Sequence, residues 1–385
     1  VPIFQEQVMS LAMIAAGFSA GEADRLRRSM AAWKRKGHLD QFEDKLRAGM
    51  AERGYTPEFA ESIIAQIKGF AEYGFPESHA ASFALLAYAS SWLKCHEPAV
   101  FLAALLNSQP MGFYGPSQLV QEAQRNGVEV RGVDVTISTW DAALERIDGD
   151  RFAVRLGMNC VKGLEMKAGW SIEEARSISP FASVNDLAAR SKLDKQALEA
   201  LASANALVSL AGNRRQAAWQ AVVSVPEKGV LKRAEIHEDD EQLDAPSEAE
   251  TVVADYNSIG LTLNRHPLTF LRERLQQQKF LTAAALRHCG DGAIVRACGI
   301  VTVRQQPSTA KGVIFLTLED ETGPVNVIVW PDMVERFRKV VYGASLMAVY
   351  GKWQNQSDVR SLISLRLVDF SHLLGQLETQ SRDFC

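Results

Sequence analysis

The stretch that decides the reading is residues 70–88, FAEYGFPESHAASFALLAY, closed by Trp92, Leu93 and Lys94. Gly74 is free to take a positive φ and Pro76 biases Phe75 away from helix, so residues 73–76 read as a turn. Ser78 then stands where a helix N-cap is expected, ahead of a small and apolar run ending near Lys94. Ser78, His79 and Ser82 would lie beside the unpaired amides of that helix start, a ready anion site. On pattern alone a lone histidine such as His79 is more often a hydrogen-bonded structural residue, and Tyr73, Phe75 and Tyr88 are more often core than base-stacking groups.

Upstream of this stretch, apolar residues recur at helical spacing, and Gly17, Gly37 and Gly54 mark breaks, so residues 1–107 are predicted helical. Within them Arg25, Arg27, Arg28, Lys34, Arg35 and Lys36 form a one-signed run interleaved with Trp33. Such a run is either a solvated helix face or a phosphate-binding surface, since Arg gives bidentate contacts and Lys a point charge.

Downstream the character changes. Residues 111–157 read as a connecting segment with one helix near 117–126 and short strands at 128–130, 134–138 and 152–156. Residues 158–225 read as two helix–hairpin–helix units, with turns at 161–164 and 203–206. Backbone amides of such a turn can hold a phosphate, which makes Lys162, Gly163, Lys167, Arg214 and Arg215 candidate DNA contacts. Glu165 stands where a second glycine often sits, and the second turn has Asn205 in place of glycine, so a purely structural helix pair is the alternative. Residues 226–256 read as an acidic linker and 257–290 as a helical connector broken at His266-Pro267.

Residues 291–372 switch to period-two strands, five in all, with a helix between the third and fourth, the order of an OB-fold barrel. Its candidates for single-stranded DNA are Arg296, Arg304, Lys311, Lys352 and Trp353, with Phe315 and Trp330 as core or stacking groups. The last segment, 373–385, is a tail. The expected class is therefore multidomain α + β: a helical region, a tandem helix–hairpin–helix and a five-stranded barrel.

Composition narrows the remainder. Across 385 residues the formal net charge is −4, so no global basic field marks a nucleic-acid partner and local patches must decide. The five cysteines show no CxxC spacing, which speaks against a zinc site or disulfide framework and suits a reducing cytoplasm. No apolar run is long enough to span a membrane. The chain opens on Val1, which suggests a fragment of a larger protein.

Residues 4–9, 16–19 and 21–30, followed by the 70–88 stretch in that order, resemble the bacterial C-family DNA polymerases, the family of the DNA polymerase III alpha subunit. Residues 20–24 and 30–37 and the tail Ser381, Arg382, Asp383, Phe384 are most similar to its error-prone, damage-induced branch; the main replicative branch is the alternative. The resemblance implies the C-terminal part of such an enzyme, beginning in the fingers. It implies contacts to nucleotide and primer phosphates from Arg27, Arg28, Lys34, Lys36, Tyr73, Ser78, His79 and Ser82. It places the Mg2+-binding carboxylates on a palm upstream of these residues, so the chain itself is expected to hold no metal and to bind without polymerising. Expected partners are DNA, as primer–template and as single strand, deoxynucleoside triphosphates, and, for the parent protein, a sliding clamp and accessory mutagenesis proteins. Gln242 and Leu243 are the clamp-peptide candidates, although the usual aromatic is missing after them. A non-catalytic repair scaffold is the contrasting reading.

Overall fold

The structure, a computed structural model, describes residues 5–36, 40–73, 77–112, 114–223, 242–307, 310, 312–356, 359–377, 379 and 381–384; residues 5, 31–36, 40–41, 70–73, 77–79, 356 and 384 are described through their backbone alone. The first four helices are α1 (Gln5–Ala16), α2 (Ala20–Lys36), α3 (Asp40–Glu52) and α4 (Pro57–Tyr73). They close on a core of Val8, Phe18, Leu26, Met30, Leu46, Met50, Ile64 and Ile67. Gly49 lets α3 lie against the end of α1, because a Cβ there would stand 2.0 Å from the Ala16 carbonyl oxygen.

At the start of α2 the Glu22 carboxylate folds back to accept from the Ser19 amide and hydroxyl, both at 2.9 Å, and takes the Lys45 ammonium. These donors, Lys45 foremost, pull its pKa down to about 2. A carboxyl held below its unfolded pKa stabilises the fold above that unfolded value and loses the contribution as pH falls through the folded one. Thermal stability of this helical unit is therefore expected to drop between about pH 4.5 and pH 2. Glu22→Gln should flatten that part of the melting-temperature profile; an unchanged profile would refute the assignment.

The long helix α5 (Glu77–His96) begins one residue before Ser78, so Ser78 belongs to its first turn and is not the cap expected from sequence. From Ala81 to His96 it is exposed all round, with Leu85 and Tyr88 each 73% accessible. The predicted turn residues 74–76 lie outside the described residues.

The middle of the chain holds α6 (Pro98–Asn107), α7 (Pro116–Arg125), the strands β1 (Val130–Arg131), β2 (Ala143–Asp148) and β3 (Arg151–Arg155), then α8 (Met166–Ile178), α9 (Val184–Ser191), α10 (Lys195–Ser203), α11 (Val208–Ala211) and α12 (Arg214–Val223). The strands form a small sheet in the order β1-β3-β2. One core runs through sheet and helices alike: Leu102, Val120, Val154, Leu156, Met158, Ile172, Leu198, Leu201 and Leu207. The expected connecting segment is thus fused to the hairpin helices.

One local expectation gives way here. Residues 134–138 form a turn, not a strand, because Asp134 Oδ1 accepts from the Thr136 amide at 2.8 Å and hydroxyl at 2.7 Å and so curls the backbone. The charged β2 supplies the missing strand, with Glu145 gripped by Arg131 at 2.5 Å and Arg155 at 2.6 Å.

The last unit opens with α13 (Glu248–Ser258), whose start is capped reciprocally by Ser247 and Glu250. This overturns the acidic-linker expectation from residue 247 onward: the acids there serve a capped helix, with Glu250 on Arg215 and Glu248 on Arg265. Residues 226–241 lie outside the described residues. A short 3-10 turn at Pro267–Leu271 interrupts the connector as predicted, ahead of α14 (Arg272–Gln277) and α15 (Ala283–Leu286).

The barrel follows as β4 (Ile294–Gln305), β5 (Ile314–Asp320), β6 (Gly323–Val329), α16 (Pro331–Arg336), α17 (Arg338–Gly343), β7 (Leu346–Gln356) and β8 (Val359–Asp369). Strand order β5-β6-β8-β7-β4 closes through β4–β5 pairing, the five-stranded barrel that the sequence implies. Its interior is packed by Val295, Val301, Leu316, Leu318, Val327, Val349, Trp353 and Leu362. The hairpin at 320–323 is set by Asp320, which accepts from the amides of Thr322 and Gly323 and also from Ala283, tying α15 to the barrel. Strand β4 leaves β7 at Ile300, and the tail adds β9 (Arg382–Phe384) in parallel beside Val303–Gln305.

Candidate nucleic-acid interface

On α2 the spacing of i, i+3 and i+4 brings Arg27 and Arg28 onto one carboxylate. Asp24 takes Arg27 at 2.9 Å and Arg28 at 2.6 Å. The Arg27 hydrogen bond leads in holding the Asp24 carboxyl below its usual range. Arg28 keeps 69% of its side chain exposed and Arg27 34%. Asp24 is the residue the sequence reading missed as organiser; its spacing from the two arginines was the available signal. Lys34 and Lys36 lie on the same helix, with side chains outside the described ones, as are those of Tyr73, Ser78 and His79. Ser82 sits on the exposed part of α5.

In the hairpins several of the candidate groups bond within the fold. The Lys162 amide donates to the Ser258 carbonyl at 2.9 Å and its Nζ to the Tyr256 carbonyl at 2.9 Å. Lys162 thus caps the C-terminus of α13, where a cation and extra donors are favourable. In the second hairpin Asn205 takes φ +59° and the Ala204, Asn205 and Ala206 amides turn back onto the end of α10, a helix C-cap. Lys162 and the amides of the second turn are thus engaged within the fold, while Gly163 (φ +81°) and Lys167 are exposed at the first turn.

Arg214 is a correction. It is 8% accessible, its guanidinium is paired with Asp255 and donates to the Thr251 carbonyl at 3.0 Å, so it joins α12 to α13 instead of facing solvent. Arg215, next to it, is half exposed and chelated by both Glu250 oxygens at 3.0 Å. A cavity of about 590 Å³ opens between α10, α12 and α13, lined by Lys162, Ser203, Arg215 and Glu250. The clamp-peptide candidate is tied back beside it: the Leu243 amide donates to Gln216 at 3.0 Å and its carbonyl accepts from Asn213 at 2.9 Å, while Gln242 is exposed.

On the barrel, two further candidates are internal. Arg304 is 8% accessible and donates to the Val341 carbonyl at 2.8 Å, to the Ala344 carbonyl at 2.5 Å and to Ser381 and Asp383 of the tail. Trp353 is 3% accessible and belongs to the core. Lys311 lies outside the described residues. What stays on the surface is Lys352, Arg296, Phe315 and Trp330, the last 50% accessible. Phe315 and Trp330 belong to the β5–β6 side, and Arg296 and Lys352 to the β4–β7–β8 wall.

Among the described residues no three His, Cys, Asp or Glu side chains converge as a metal group. Asp134 is occupied by Thr136 and Ser209, and Asp141 accepts from Asn159. Among them no helix is long and apolar enough to cross a membrane.

Comparison with known proteins gives three family matches along the chain. Residues 1–54 match the bacterial DNA polymerase III alpha subunit finger domain, 127–217 a helix-hairpin-helix motif, and 295–367 an OB-fold nucleic acid binding domain. Over its full length the chain is 59% identical to an error-prone DNA polymerase of Burkholderia pseudomallei, and over 98% of its length 59% identical to one of Bordetella parapertussis. It spans 36% of the length of each. Among solved structures, an asparaginyl-tRNA synthetase from Pyrococcus horikoshii superposes on 24% of this chain and 23% of its own, with 21% identity and a TM-score of 0.22, too slight a likeness to bear on fold or function.

Proposed function

Because this chain belongs to the bacterial polymerase family of the DNA polymerase III alpha subunit, with error-prone DNA polymerases among its relatives, we propose that the intact protein adds deoxynucleotides to a primer 3′ end under template direction. The observation that carries the reading is the 59% identity over the full length of the chain. On this reading the protein works in the cytoplasm on damaged templates, with a sliding clamp and accessory mutagenesis proteins as partners. This chain's share is grip: α2 meets the triphosphate or primer phosphates, and the barrel holds single-stranded DNA. Fixed cations that neutralise phosphate charge both raise affinity and stabilise charge that builds up during phosphoryl transfer. Magnesium, held by palm carboxylates elsewhere in the protein, would supply the activation of the primer hydroxyl.

Arg28 is the cleanest test, because Arg27 still neutralises Asp24 when it is removed. Arg28→Gln is expected to weaken binding of a labelled primer–template about three- to tenfold and to lower the salt slope by about 0.9, the contribution of one phosphate contact. The 385-residue chain should bind the primer–template in fluorescence anisotropy and leave the primer unextended. Binding that ignores both salt and Arg28 would favour the interaction scaffold.

A further inference from the structure

We propose that Asp24 is a positioning residue of the phosphate site: it sets the direction of Arg27 and Arg28 and gives up part of their charge to do so. This rests on the reading that the intact protein is a polymerase whose α2 meets triphosphate or primer phosphates. A carboxylate beside such a site lowers affinity for phosphate. One carboxylate against two guanidinium groups leaves one net positive charge, where asparagine would leave two. Its presence calls for a compensating gain.

Cross-linking of the fold is not that gain. Other carboxylates of this helical unit join two helices: Glu22 of α2 takes Lys45 of α3, Glu43 of α3 takes Lys68 of α4, and Glu61 of α4 takes Arg47 of α3. Asp24 differs. Among the described residues its partners are Arg27 and Arg28, one turn further along its own helix. Asp24 is nonetheless 6% accessible. A carboxylate withdrawn from water depends on its partners and holds them in a narrower geometry than a solvated one does.

The geometry is that of a holder. Arg27 places Nε, at 3.0 Å, and Nη2, at 2.9 Å, on Oδ1, which fixes the plane of its guanidinium. Arg28 places Nη2 on Oδ2 at 2.6 Å. Both guanidinium groups are thus held side by side on one rigid carboxylate, each with donors left over for an anion. Ala23, Leu26 and Met30 of the same helix are sealed in the core, so the backbone carrying the trio is fixed as well. Donors aimed in advance need no reorganisation when charge builds up on a transferring phosphoryl group. Aim therefore shows in the rate, and bare charge in the affinity.

The test uses the intact polymerase in single-turnover addition of one nucleotide. It reads the maximal rate and the Kd of the nucleoside triphosphate, with the Kd of a labelled primer–template measured separately. Arg28→Gln is expected to raise one of the two Kd values, which identifies the phosphates met. Asp24→Asn should leave that same Kd unchanged or lower it, and slow the maximal rate about 10- to 100-fold. Asp24→Glu keeps the charge within helical reach and should regain most of the rate. Arg28→Lys, at an exposed position that leaves the core untouched, keeps the charge without the planar fork and should show the same split of rate from affinity. Thermal melts confirm that each variant is folded, and the Arg28→Lys arm stands by itself should Asp24→Asn unfold. The parent's rate in either variant would overturn the positioning role, as would a Kd raised in step with the fall in rate or in place of it. If Arg28→Gln raises neither Kd, the reading that α2 meets phosphate fails as well.

Discussion

Alanine at Asp255 is expected to lower the unfolding free energy by about 3–5 kcal/mol, the cost of leaving a buried charge without its partner. Asp255 is 7% accessible and collects Arg214, the Thr262 hydroxyl at 2.7 Å and the Asn264 amide at 3.1 Å. Without it, Arg214 stays sealed between α12 and α13 with an Nε that already has no hydrogen-bond partner. Urea denaturation with the slope checked for constancy would measure the loss. The double change Asp255→Leu with Arg214→Met should cost far less than the sum of the single changes, since no charge is then stranded. A loss below about 1 kcal/mol for Asp255→Ala would refute the account, because that is the range of an exposed pair.

The second large effect concerns Arg304. Arg304→Ala is expected to cost about 3 kcal/mol, since it strips donors from two buried carbonyls and releases the anchor of the tail. The measurement is barrel unfolding together with the protease sensitivity of residues 371–384, which should rise. Oligothymidylate affinity of the folded fraction should stay within about twofold. A selective loss of affinity with unchanged stability would reinstate Arg304 as a DNA contact.

These two residues show where the sequence stopped being informative. The barrel was legible because period-two alternation and the placement of one helix between its third and fourth strands are local patterns. So was the αL tolerance of Asn205, which the structure uses at φ +59°. Arginines are different: the letter is the same for a buried anchor, a helix partner and a surface cation. Arg214 and Asp255 are far apart in sequence and meet through packing, which no spacing rule records. Lys162 looked like a phosphate ligand because its turn is glycine-containing, yet the nearest negative end is that of α13. Asp24 with Arg27 and Arg28 was within reach of helical spacing.

The tail strand bears on the solution behaviour of the protein. Where β4 parts from β7, its backbone at Val303–Gln305 would present unpaired donors and acceptors, and β9 occupies them. Arg382, from the same strand, also fastens to the carbonyls of Met111 and Gly112. A free strand edge is a template for pairing with another chain. Removal of residues 381–384 should therefore appear first as concentration-dependent self-association, visible by light scattering well below the melting temperature, before any change in the barrel itself.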